Sequence, residues 1–171
     1  MNRYNLYKII SFFLYLLAQA LIFNNIVLFG TAHSFIYIGF LLTLPLELAI
    51  IPGMIIGLGL GLGIDAFSNT FGLHAAASVL LMYIRPKIIS GITPQGGYAV
   101  NMIPRPNIIG LAWFSTYALP LIFIHHLVLF FVEFGGFDLF WSTLLKVLAS
   151  TAYSFILIVV IQYMFMGNSR K

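Results

Sequence analysis

Long apolar runs fill this chain, separated by short breaks that hold most of its charges and turn residues. The first run extends from Ile9 to Leu28 behind Arg3 and Lys8. Ala18-Gln19-Ala20 has the A-x-A spacing of a signal-peptide cleavage site, yet the run continues through it to Phe29, so a retained first helix is expected. Ser34 to Phe67 is too long for one span: as a single helix it would reach about 51 Å against a hydrocarbon core of about 30 Å. It must turn back, and Leu44-Pro45-Leu46-Glu47 holds the only turn chemistry inside it. Pro52 then falls in the first turns of the third helix, where a proline is tolerated.

Asn69 to Gly72 reads as a tight turn and Arg85-Pro86-Lys87 as the end of a fourth helix. Gly91 to Asn107 is the one loop of any length, Pro120 is a kink in a fifth helix, and Glu133 to Asp138 is a turn. The pattern predicts an all-α membrane protein with six transmembrane helices over about 9–28, 32–45, 48–67, 73–89, 108–132 and 139–166, in one integral domain, 1–171.

Composition sharpens this picture. Of 171 residues, 61% are hydrophobic and 7% charged, against roughly 45–50% and 25% in soluble domains. Mean hydropathy is +1.05. Too little chain remains outside six spans for a soluble cofactor fold or catalytic domain. The eight Lys and Arg residues are scattered, so the net charge of +4 reports orientation and not nucleic-acid binding. With six spans, Arg3, Lys8, Arg85, Lys87, Arg105, Arg170 and Lys171 share one side, and Glu133, Asp138 and Lys146 lie at the other. The positive-inside rule then makes both termini cytoplasmic. The absence of Cys excludes disulfides and thiolate chemistry.

Few residues suggest chemistry. Gly53, Gly57 and Gly61 recur every four residues, as do Gly59 and Gly63, giving two small-residue faces on one helix. In lipid such faces let backbones approach, either inside the protein or against a partner helix. Asp65 lies one turn beyond Gly61. His74 opens the next helix, and Lys146 enters the last one from the same side. These three are a candidate polar cluster, compatible with a structural tie, a ligand site or catalysis. His125 and His126 point about 100° apart and cannot serve one metal as an i, i+4 pair would. One is expected to bond to a neighbouring helix and the other to lie nearer the interface. Gln19, Asn24 and Asn25 suit interhelical hydrogen bonds, and Glu47 is expected near Arg85 or Lys87. Arg85, Lys87 and Arg105 form a candidate cytoplasmic contact. No cofactor or metal set is visible.

The stretch Gln19 to Ile26 with Asn24 and Asn25, the Leu44-Pro45 stop, Gly57-x-x-x-Gly61-x-x-x-Asp65, the turn Phe67 to Thr70, Gly72-Leu73-His74 with Ala75 to Ala77, and Tyr83-Ile84-Arg85-Pro86 together resemble the rod-shape-determining MreD family in its Bacteroidetes-type form. The likeness is dense over Gln19 to Pro86; the second half is apolar sequence of low specificity. The turn Leu46-Glu47-Leu48 is less polar than in that family. The resemblance implies a non-enzymatic scaffold or regulator of cell-wall elongation in the bacterial inner membrane. It would bind MreC and work with the MreB system, RodA and its penicillin-binding transpeptidase. It also implies a fold similar to the substrate-binding subunits of energy-coupling-factor transporters. Two other classes stay open: a vitamin-binding transporter subunit, which needs a polar or aromatic outer pocket and a small-residue face on helix one, and an intramembrane enzyme using Asp65, His74 and His125.

Overall fold

The computed structural model describes residues 3–166; the expected tail with Arg170 and Lys171 lies outside them. The chain is a helical membrane protein. Among the described residues, five stretches are long and apolar enough to cross a bilayer: Leu6–Asn25, Ile50–Ser68, Leu73–Ile92, Leu111–Glu133 and Phe140–Met164. The first combines α1 (Arg3–Leu21) with a 3-10 turn, Phe23–Asn25. The others lie in α3 (Ile50–Ser68), α4 (Leu73–Ile92), α6 (Leu111–Glu133) and α7 (Phe140–Met166), with α5 (Pro106–Ile109) a single turn before α6.

The helix expected over 32–45 is not formed. Val27–Leu28 (β1) and Ala32–His33 (β2) pair antiparallel, with Val27 opposite His33. Residues 34–37 are not helical, and only Ile38–Leu42 (α2) winds into a helix. Length explains the difference. α3 has 19 residues, about 28 Å at 1.5 Å per residue. Residues 32–45 wound as helix would cover only about 21 Å, whereas extended chain gains about 3.3 Å per residue. A partly extended path lets this short segment join the two ends of the bundle. It is also the most buried stretch of the fold: Tyr37, Ile38, Leu41 and Leu42 have no exposed surface. The first helix accordingly stops at Leu21 and not at Leu28, because the chain after it turns into the hairpin.

One proline reading is revised. α4 runs through Pro86 to Ile92. The proline removes one ladder donor, a loss confined to the carbonyl four residues back. α6 begins at Leu111 because Gly110, at φ 95°, separates it from α5. Pro120 lies inside α6 without ending it.

The glycine pattern separates into different roles. A Cβ on Gly61 would lie 2.4 Å from the Ala75 Cα, and one on Gly57 would lie 3.0 Å from the Ser78 carbonyl oxygen, so both glycines let α3 and α4 touch backbone to backbone. Gly53 faces the Met82 side chain, and Gly63 faces Leu16 of α1. Gly59 meets nothing within 4 Å. Gly61→Ala should therefore lower the unfolding midpoint in detergent, by a cost of roughly 1–3 kcal/mol for overpacking. Gly59→Ala should be neutral or gain up to about 1 kcal/mol in helix propensity. Circular-dichroism melts that fail to separate the two variants would refute the close-packing role.

Candidate functional site

Asp65 is the centre of the polar cluster at one end of the bundle. α3 ends with Asn69 in the left-handed conformation (φ 53°), and Gly72 (φ 82°) leads into α4. This tight return brings the first N–H groups of α4 over the last turn of α3. The Asp65 carboxylate takes them directly: Oδ1 accepts the His74 backbone N–H at 3.1 Å and Oδ2 that of Ala75 at 3.0 Å. These are among the donors that a helix N-terminus leaves unpaired, and a carboxylate there also meets the positive end of the helix dipole. Oδ1 further accepts the Thr70 hydroxyl at 2.5 Å and faces His74 Nδ1 at 2.9 Å. Because Oδ1 can only accept, Nδ1 carries the proton, and Nε2 is the ring nitrogen left over.

Lys146 does not join this pair. Its ammonium lies 3.8 Å from Glu133 Oε2 and over the Phe130 and Phe134 rings at 4.5 and 4.8 Å. Of the expected cluster, the fold thus brings Asp65 and His74 together and gives Lys146 to Glu133. All four histidines of the chain surround Phe35, with ring centroids 6.5 Å (His33), 5.6 Å (His74), 6.2 Å (His125) and 5.1 Å (His126) away. His125 and His126 are both fully buried in the protein. His125 Nε2 is 2.7 Å from the Tyr37 hydroxyl. His126 Nδ1 lies 2.6 Å from the Ile122 carbonyl and must donate, which leaves Nε2 to accept from Ser154 at 3.3 Å. Among the described residues no three His, Asp or Glu side chains converge as metal ligands.

The expected cytoplasmic contact of Arg85, Lys87 and Arg105 is also revised. Arg85 is 1% exposed. Its Nε donates to the Tyr117 hydroxyl at 2.6 Å, and its terminal nitrogens donate to the carbonyls of Leu44 (2.6 Å) and Pro45 (3.1 Å). Tyr117 in turn donates to the Leu42 carbonyl at 2.9 Å. Glu47 is exposed, and the three Arg85 hydrogen bonds go to Tyr117, Leu44 and Pro45 instead. Lys87 is exposed, with its ammonium 5.2 Å from the Tyr83 ring centre, and the half-buried Arg105 precedes α5. At the opposite end of the segment, Gln19 binds Ser34 and Ile36, while Ser150 and Ser154 accept from His33 and Phe35. Asn24 donates to Ser68 at 3.1 Å.

A cavity of about 200 Å³ opens beside the Asp65–His74 pair, between the 3-10 turn, β2, the α3–α4 turn and the end of α6. Its polar lining includes Asn24, His33, Ser34, Thr70, His74 and Glu133. No protein-family model matches the chain, and neither a curated protein nor a solved structure is significantly similar to it.

Removing the α4 cap should be costly. Asp65→Leu orphans two backbone donors and is expected to lose roughly 2–5 kcal/mol of stability. Asp65→Asn keeps one acceptor and should lose less, and Lys146→Met should stay within about 1 kcal/mol. Exchanging the two, Asp65→Lys with Lys146→Asp, should recover nothing in the same melts.

Proposed function

We propose that this chain is a non-enzymatic membrane scaffold of the cell-wall elongation complex, holding MreC beside the wall synthases. The observation that carries the reading is how the residues behind the MreD resemblance are used. Gln19, Gly57, Gly61, Asp65 and Arg85 all face inward and hold backbone to backbone or backbone to side chain. The outward faces are apolar. On α1, Ile10, Phe13 and Leu14 are all more than half exposed. An apolar groove of about 500 Å³ runs between α1 and α7, lined by Ile10, Leu14, Ala18 and Ile161 among others. A second, of about 330 Å³, lies between α1 and the Phe40–Leu48 region. Such surfaces suit lipid and partner helices, which pack by shape in a bilayer.

On this reading residues 33–46 make a sixth crossing, mostly unwound and sheltered by the five long helices. Irregular backbone at membrane depth is tolerated only where protein or water covers it. Six crossings return both termini to one side, and the basic residues support the cytoplasmic side of the bacterial inner membrane. The resemblance carries this reading on to a fold similar to the substrate-binding subunits of energy-coupling-factor transporters. The transporter alternative asks for a polar or aromatic pocket, which the 200 Å³ cavity resembles. It also asks for a small-residue face on the first helix, where this chain presents Ile9, Phe13 and Leu17.

Tagged protein should copurify with MreC in mild detergent, and depletion should round rod-shaped cells. Ile10→Trp with Leu14→Trp should reduce MreC capture at least several-fold while leaving the unfolding midpoint within a few degrees. A Cys at Gly136 should react with an impermeant thiol reagent from outside, and one at Gln95 should not. Normal MreC capture by the Trp variant would remove α1 from the interface, and the opposite labelling pattern would invert the topology.

A further inference from the structure

The 200 Å³ cavity next to His74 has chemistry that packing and scaffolding do not use. Ser34 lines it and is 1% exposed, yet its hydroxyl has no hydrogen-bond partner. A buried orphan hydroxyl is costly, and native folds keep one where something else completes it. His74 lines the same space with Nδ1 committed to Asp65, so Nε2, an acceptor in the neutral ring, is what it can offer there. Glu133 adds a carboxylate. Its nearest cation, the Lys146 ammonium, is 3.8 Å away, beyond hydrogen-bond distance. Phe35 and Phe130 contribute aromatic walls.

The lining is thus rich in acceptors, and its charge is biased toward the negative. Asp65, Glu133 and Asp138 are three of the four acidic residues of the chain, and all three belong to this end of the bundle, where Lys146 is the one basic residue among the described residues. Acceptors, a carboxylate and aromatic faces together recognise a cation that carries N–H donors. At about 30 Å³ per water-sized group, the space holds roughly six or seven non-hydrogen atoms.

We propose that this cavity binds a small primary ammonium ion, with Glu133 as its counter-charge and Ser34 Oγ and His74 Nε2 accepting its N–H groups. Two sources present this chemistry: a free amine, and the ethanolamine headgroup of a membrane lipid. The proposal is independent of whether the chain serves as a scaffold.

The test uses the full chain in nanodiscs of phosphatidylglycerol, which bring no amine. Titrated ethanolamine should bind saturably, with a Kd on the order of millimolar for four non-hydrogen atoms. Ethylene glycol, of the same size and without charge, should not bind. Glu133→Gln should weaken ethanolamine binding about tenfold and Ser34→Ala about threefold or more, with unfolding midpoints near that of the parent protein. If the lipid headgroup is the occupant, discs containing phosphatidylethanolamine should raise the midpoint and block free ethanolamine, and both variants should lose that increase. No saturable ethanolamine binding together with no phosphatidylethanolamine shift, equal binding of ethylene glycol, or parental affinity in both variants would each overturn the assignment.

Discussion

A peptide group without a partner in an apolar interior costs on the order of 1–3 kcal/mol, and more where no water can reach it. Residues 33–46 put that cost at the centre of this fold, because they run unwound or barely wound through its most buried region. A long helix satisfies its own backbone; this segment must borrow. It borrows from four helices: Gln19 on α1, Arg85 on α4, Tyr117 on α6, and Ser150 with Ser154 on α7. Those bonds are directional, so they fix the height and rotation of each of these helices relative to the segment. Lipid supplies no hydrophobic drive for helices to associate, and here the borrowed bonds supply specificity in its place.

The remaining long helix, α3, is secured by a different device, in which two residues one turn apart depend on each other. Gly61 allows the start of α4 to approach until Ala75 nearly touches the α3 backbone. Only at that distance can Asp65 reach the His74 and Ala75 N–H groups. The glycine would gain less without the cap, since a helix N-terminus with orphan donors resists burial. The carboxylate would in turn lack partners without the glycine. The Gly-x-x-x-Asp spacing therefore encodes one joint, and Thr70 and His74 complete the shell of the same carboxylate.

Much of this was legible in the sequence, at the level where hydropathy and charge act. The four later long helices, the α3–α4 close contact and the Asp65–His74 pair all follow from apolar run length, glycine spacing and the cost of a charge in lipid. The unwound segment was not legible, because Ser34 to Leu44 is as apolar as a helix and periodicity cannot tell the two apart in a fully buried run. Arg85 was misplaced for a related reason: beside Pro86 and Lys87 it looks like a surface stop, and the bare carbonyls it serves exist only once α2 ends early. A usable signal did exist on α7. Thr143, Ser150, Ser154 and Gln162 follow one helical stripe, and in a lipid-facing helix such a stripe marks the protein side; all four are buried.

Chain direction explains which kind of partner stands at which end of the segment. A helix leaves N–H groups unpaired where it begins and carbonyls unpaired where it ends. The chain entering α2 therefore needs acceptors, and it finds Ser150 Oγ, Ser154 Oγ and Gln19 Oε1. The chain leaving α2 needs donors, and it finds the Tyr117 hydroxyl and the Arg85 guanidinium. A guanidinium has five donors and no acceptor, so it could not serve the entering end, while two serine hydroxyls could not span the carbonyls of Leu44 and Pro45 with one side chain. The same polarity bears on the charges. A buried cation is tolerable at the carbonyl end without any carboxylate nearby, and a carboxylate is tolerable at the start of α4 because bare N–H groups face it. Arg85 and Asp65 are thus placed by one rule applied to opposite backbone termini, and neither requires the other as a counter-ion.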